Sequence, residues 1–229
     1  MSYPIEQIAE MIGARRIGEA PATIDWLLTD SRSLNFPEET LFFALPAKRN
    51  TGANYIPELI ERGVRCFVVS EEEYANGEWK MENGELNFLL VPSPLKALQK
   101  LAELHRAQFN IPVVGITGSN GKTVVKEWLH QLLGDDRRIV RSPRSYNSQI
   151  GVPLSVWQMG ADDELAIFEA GISEPGEMRA LEAIIKPTIG ILTNIGGAHQ
   201  ENFYSLQEKC MEKLTFFKNC DVLIYNGDD

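Results

Sequence analysis

Residues 113–123 read Val113-Val114-Gly115-Ile116-Thr117-Gly118-Ser119-Asn120-Gly121-Lys122-Thr123, an apolar run that breaks into a glycine-rich turn and ends in Gly-Lys-Thr. An amphipathic segment follows at once. The N–H groups of such a turn, with the positive end of the next helix, form an anion site, so a phosphate cradle is predicted here. Gly118, Ser119, Asn120 and Gly121 form the turn. Lys122 adds a point charge for the outer phosphates, and the Thr123 hydroxyl is a ligand for Mg²⁺. The common spacing G-x-x-x-x-G-K-[ST] would need glycine at position 116, where this chain has Ile116. Instead it carries Gly115-x-x-Gly118-x-x-Gly121-Lys122-Thr123, a variant belonging to a narrower set of ATP users. An ordinary glycine-rich surface turn is the competing reading, and the strand–turn–helix context weighs against it. Beyond the turn, Val124, Val125, Trp128, Leu129, Leu132 and Leu133 recur at helical spacing and are expected on one face. Gly134 and the Asp135-Asp136 pair end that helix.

The remainder of the chain frames this unit. Its 229 residues, 44% hydrophobic, suffice for a sizeable core in two modest domains. A net charge of −10 argues against a nonspecific nucleic-acid or anionic-membrane partner, though local N–H groups, Lys and Mg²⁺ still outweigh a screened surface charge at contact distance. No run approaches a membrane span. The start, Met1-Ser2-Tyr3-Pro4-Ile5-Glu6-Gln7, has no basic n-region or apolar h-region, so no signal peptide is expected. Cys66, Cys210 and Cys220 are odd in number and lack metal-ligand spacing, which suits a reducing cytoplasm.

Short helical and strand patterns alternate over the first ninety or so residues: Ile5 to Ile12 helical, Thr40 to Ala44 a strand, Ile56 to Arg62 helical, Cys66 to Val69 and Phe88 to Val91 strands. Pro92-Ser93-Pro94 punctuates the chain, and Leu95 to Phe109 reads as a connecting helix. The expected division is residues 1–93, a connecting helix over 94–111, and a second domain over 112–229. The fold class expected is α/β. In the second domain, strands Val113 to Thr117, Leu165 to Glu169, Thr188 to Thr193 and Val222 to Tyr225 alternate with helices, the pattern of a mostly parallel sheet. Ligands in such sheets sit at the carboxyl ends of the strands. The four ends here are the cradle, Glu169, Asn194 and the Asn226-Gly227-Asp228-Asp229 stretch, and they are expected to converge on one crevice.

Three residues there carry chemistry beyond the cradle. Glu169, between Ala-Ile-Phe and Ala-Gly, is the expected carboxylate ligand of Mg²⁺, against the alternative of a solvated strand-end glutamate. His199, in the small-residue loop Gly196-Gly197-Ala198-His199, is read either as a second metal ligand or as an orienter of the reacting phosphate, and equally as a loop histidine without a role. Lys213 falls within the apolar stripe Leu206, Cys210, Leu214 and Phe217 of a helix expected over Ser205 to Phe217. On the residues alone a snorkelling stem is the favoured reading. The alternative is a desolvated amine that reacts with CO₂ to form a carbamate, whose negative charge would help hold a second Mg²⁺.

Gly115 to Thr123, Tyr146-Asn147-Ser148-Gln149-Ile150-Gly151-Val152-Pro153, Glu169-Ala170-Gly171-Ile172-Ser173, and Asn194 to His199 followed by Phe203 and Ser205 resemble the Mur ligases of peptidoglycan synthesis. In the first domain Thr29-Asp30-Ser31-Arg32 and Leu41 to Leu45 are similar to that family's UDP-sugar-binding domain. The resemblance covers essentially the whole chain, and the Asn-x-x-Ile-Gly-Val-Pro and His-x-x-x-Phe-x-Ser patterns point to the branch that adds D-alanyl-D-alanine to UDP-MurNAc-tripeptide. It implies a small UDP-substrate domain followed by a P-loop-type ATP-binding domain. It also implies a ligase using ATP and Mg²⁺ through an acyl phosphate, with roles in cell wall biogenesis, cell shape and division. Lys122, His199 and Lys213 would be catalytic, with Lys213 at the position of the family's carbamylated lysine. Gly118 to Thr123 and Asn194 would bind ATP, Thr123, Glu169 and His199 would hold metal, and Ser31, Arg32 and Asn147 would bind substrate. Where members usually read Gly-x-Arg-x-Asp-Gly-His, this chain has Ala47-Lys48-Arg49-Asn50-Thr51-Gly52-Ala53. Members also continue past the position of Asp229 into a third domain, so the chain is expected to be a fragment inactive by itself, in some relatives fused further to an alanine racemase. Competing classes are another Mur ligase or a folylpolyglutamate-synthase-like ligase, separated by binding of UDP-MurNAc-tripeptide or of a folate, and a nucleotide-binding module without catalysis.

Overall fold

The computed structural model describes residues 1–46, 51–77, 84–196 and 202–227. The chain divides into two compact units, Met1–Leu101 and Ala102–Asp229, with the dividing point inside a helix. In the first unit the elements run β1 (Tyr3–Pro4), α1 (Ile5–Ile12), β2 (Arg15–Ile17), β3 (Thr23–Ile24), β4 (Trp26–Leu28), β5 (Thr40–Phe43), α2 (Ile56–Glu61), β6 (Cys66–Ser70), α3 (Glu71–Asn76) and β7 (Asn87–Val91); α4 (Pro94–Arg106) then leads into the second. A five-stranded sheet is ordered β2-β7-β6-β5-β4, parallel except for the β2–β7 pair. β5, β6 and β7 are nearly continuous apolar runs because both faces of the sheet's centre are covered. Phe42, Phe67 and Phe88 pack at its middle.

The second unit runs β8 (Val113–Thr117), α5 (Lys122–Leu133), β9 (Ile139–Arg141), α6 (Gly151–Val156), β10 (Leu165–Glu169), α7 (Glu177–Ile185), β11 (Ile189–Leu192), α8 (Leu206–Leu214) and β12 (Val222–Tyr225). All five strands are parallel, in the order β12-β11-β8-β10-β9. This is the α/β architecture expected from the strand–helix alternation. The sheet centre is β8, flanked by β10 and β11, so the turn after β8 emerges between two neighbouring strand ends. Close approach of the helical layer needs two glycines. A Cβ on Gly115 would lie 2.7 Å from Phe216, and one on Gly190 2.3 Å from Phe217. No helix of the described residues is long and apolar enough to cross a membrane.

The helix faces depart from expectation. Val125 and Leu129 of α5 pack against the sheet, whereas Val124, Trp128 and Leu132 are 50%, 62% and 74% exposed. The inward face takes in Val125, Lys126 and Leu129, so Val124, Trp128 and Leu132 rotate out to solvent. In α8 the expected apolar stripe is likewise incomplete: Leu206 is exposed, Lys213 is buried within the stripe as expected, and Lys209, one turn earlier, is buried as well. α7 presents the apolar face Met178, Leu181, Ile184 and Ile185 at helical spacing and buries all four.

Candidate functional site

The turn after β8 is built to stay open. Gly118 has φ 143°, and a Cβ there would fall 1.9 Å from Thr193 Oγ1. Gly121, at φ 82°, starts α5. Asn194, just beyond β11, clamps the turn: its carbonyl accepts from Ser119 N at 2.9 Å and its Oδ1 from Asn120 N at 2.9 Å. Ser119 and Gly196 exchange two further hydrogen bonds, at 2.8 and 3.1 Å, and Thr193 Oγ1 donates to Asn120 O. The N–H groups of Ser119 and Asn120 therefore shape the loop, and the donors directed outward are those of the first turn of α5, which lack intrahelical partners. Gly118→Ala is expected to destabilise the protein by about 2–4 kcal/mol through backbone strain and the Thr193 clash. Thermal unfolding measures this, and an unchanged melting temperature would contradict it.

Two lysines converge on one oxygen. Lys122 Nζ donates to the Gly118 carbonyl at 2.9 Å, and Lys213 Nζ reaches it from α8 at 3.2 Å. Lys209, also buried, donates to Gly196 O at 2.6 Å. Burial lowers the Lys122 amine, with the nearby Glu169 charge opposing the shift and Lys209 adding to it. For Lys213 burial again leads, reinforced by Lys122 and Lys209, and brings the amine down to about 8. Cations packed this tightly favour an anion between or beside them.

Glu169, fully buried at the end of β10, faces the same turn. Its Oε2 accepts from Thr123 Oγ1 at 3.0 Å and Asn147 Nδ2 at 3.4 Å, and Thr123 Oγ1 lies 3.2 Å from Ser145 Oγ. Oε1 stands 3.0 Å from Lys126 Nζ as an ion pair, outside hydrogen-bond geometry. Ser142 Oγ accepts from the Glu169 N–H at 3.2 Å. The small Ala-Gly that follows has a steric reason, since a Cβ on Gly171 would sit 2.9 Å from Asn147 Oδ1.

Hydrogen bonds thus link Gly118, Ser119, Asn120, Lys122, Thr123, Asn147, Glu169, Asn194 and Lys213 around one turn, drawing on three strand ends. The fourth end, after β12, stands at the sheet edge beyond β11, and Asp228 and Asp229 lie outside the described residues. So does His199. Ser31 and Arg32 are in the first unit, where Asp30 caps a short 3-10 turn and pairs with the exposed Arg32 guanidinium at 2.6 Å. That bond holds the Asp30 carboxyl below its usual range. Lys126 and Lys209 are site residues that the sequence reading missed. Among the described residues no group of three or more His, Cys, Asp and Glu forms a metal site.

Two family models match: the Mur ligase family catalytic domain over residues 23–106 and the Mur ligase middle domain over 116–229. The chain is similar to the UDP-N-acetylmuramoyl-tripeptide--D-alanyl-D-alanine ligases of Borreliella burgdorferi (36% identity, 82% of this chain, 41% of the relative) and Bacillus subtilis (32% identity, 98% and 49%). It spans about half the length of the curated relatives it matches. Among solved structures it resembles the MurF ligase of Thermotoga maritima in complex with ADP, with TM-score 0.74 and 29% identity over 89% of this chain and 46% of that one.

Proposed function

Since the chain belongs to the Mur ligase family, we propose that it acts in an ATP-dependent amide-forming ligase that joins D-alanyl-D-alanine to UDP-MurNAc-tripeptide in peptidoglycan precursor synthesis. The observation that carries this reading is the convergence of Lys122 and Lys213 on the Gly118 carbonyl, beside a turn whose Thr123 hydroxyl contacts a buried carboxylate. In the proposed reaction the terminal carboxylate of the tripeptide attacks the γ-phosphorus of ATP. The bond to the β-phosphate oxygen breaks, ADP leaves, and an acyl phosphate forms. The amine of D-alanyl-D-alanine then attacks the acyl carbon through a tetrahedral intermediate, loses a proton, and expels inorganic phosphate.

The first-turn N–H groups of α5 and Lys122 hold the β- and γ-phosphates and follow the charge as it moves to the leaving group. Thr123 and Glu169 fit Mg²⁺: both offer hard oxygens, and the fully buried Glu169 carboxylate turns its Oε2 to the Thr123 hydroxyl at 3.0 Å. Bound there, the ion would neutralise phosphate charge. His199 would serve a second ion. Ser31, Arg32 and Asn147 bind the UDP-linked substrate. Lys213, with an amine near 8, has a sizeable neutral fraction at neutral to mildly alkaline pH, the form that adds to CO₂ and releases a proton to give a carbamate. ADP in the Thermotoga relative supports nucleotide use. The free Cys66, Cys210 and Cys220 suit a cytoplasmic setting.

The test is phosphate release by the full-length protein with ATP, UDP-MurNAc-tripeptide and D-alanyl-D-alanine. Release is expected only when both substrates are present, and release independent of either one would overturn the assignment.

A further inference from the structure

Lys126 is a fully buried cation of this site, and the cradle motif gives it no role. Its Nζ donates to the carbonyls of Ser142, at 2.8 Å, and Arg144, and stands 3.2 Å from Glu127 Oε1 and 3.0 Å from Glu169 Oε1. Glu127 is itself held by Arg141, at 3.2 and 3.3 Å. An ammonium has three N–H groups, and the two carbonyls fix its position on the loop after β9. Arg144 supplies its carbonyl from a left-handed backbone, φ 50°, a strained conformation for a side-chain-bearing residue that persists only where surroundings hold it.

The consequence lies in how the Glu169 carboxylate is divided. One oxygen is taken up by Lys126, and the other is turned to Thr123 and Asn147. A carboxylate so divided offers a cation one oxygen. Mg²⁺ is small, octahedral and suited to single-oxygen carboxylate ligands, whereas Ca²⁺ takes six to eight ligands and readily accepts a carboxylate through both oxygens. We infer that Lys126 is a positioning residue that makes Glu169 a one-oxygen ligand and thereby sets the site's preference for Mg²⁺ over Ca²⁺. This rests on the reading of Thr123 and Glu169 as the metal-facing pair.

The test is ADP binding to the full-length protein, followed by calorimetry as free Mg²⁺ or free Ca²⁺ is varied, for the wild type, K126M and K126R, with circular dichroism to establish folding. In K126M the second oxygen is released, so the Mg²⁺ concentration that half-supports binding rises by about tenfold, in line with losses of supporting groups around metal ligands. The Ca²⁺ concentration moves less or falls, and the ratio between the two narrows. K126R keeps a cation against Oε1 and the wild-type ratio. A purely structural brace would weaken both ions alike. An unchanged ratio in folded K126M overturns the inference, and K126Q is judged by the same criterion should K126M not fold. Wild-type ADP binding that needs neither ion would overturn the metal-site reading itself.

Discussion

Lys122→Ala is expected to abolish ATP turnover in the full-length protein while leaving its fold intact. The amine is held against Gly118 O at 2.9 Å; in the proposed reaction it would meet the phosphate oxygens on which charge builds as the γ-phosphoryl group leaves. Loss of one preorganised donor of this kind typically costs about 10²–10³ in kcat, and loss of a full charge belongs at or beyond the upper end. Folding has less at stake. The side chain is half-buried, and its carbonyl partner keeps Lys213 as a second donor, so the stability change is expected within about 1 kcal/mol. The substitution has a second signature: Lys122 is one of the two cations that depress the Lys213 amine, so that amine should titrate above 8 in the variant. Near-parental turnover in a folded Lys122→Ala protein would remove the cradle from the mechanism.

Lys213 is expected to separate activity from stability. Its amine is lowered from 10.5 to about 8, chiefly by burial. A folded-state value below the unfolded one means the unfolded chain binds the proton more tightly. The penalty is therefore fully present below pH 8 and disappears as pH rises towards 10.5. Such a difference is worth on the order of 3 kcal/mol, and Lys213→Met, which keeps the stem and drops the charge, is expected to gain about 1–3 kcal/mol at pH 7. Urea unfolding in CO₂-depleted buffer across pH 6 to 10 measures the gain, which should shrink at the alkaline end. Ligase activity moves the other way. Lys213→Ala should lose about 10²-fold or more through loss of the carbamate's negative charge, with partial rescue by small carboxylates that enter the vacated space. Nearly full activity for Lys213→Ala with and without CO₂ would reduce the residue to a snorkelling stem.

What could be read without coordinates was local. The strand–turn–helix of the cradle, the strands ending at Thr117, Glu169 and Leu192, and α1 are contiguous patterns in which neighbouring residues carry the whole signal. Glu169 was legible because a lone carboxylate closes an otherwise apolar strand. Two of the site's lysines were not. Lys126 and Lys209 stand among charged and apolar residues on helices whose composition permits several faces to turn inward, and 3.6-residue periodicity only ranks those faces. Which one is buried depended on partners remote in the chain: Glu169 and the Ser142 and Arg144 carbonyls for Lys126, Gly196 for Lys209. The same packing left Val124, Trp128 and Leu132 in solvent although hydropathy alone would bury them. Local propensity and hydrophobic pattern determined the elements. The burial of charge was decided only by tertiary structure, because a buried ammonium is tolerable only where folding brings oxygen atoms from several separate segments around it.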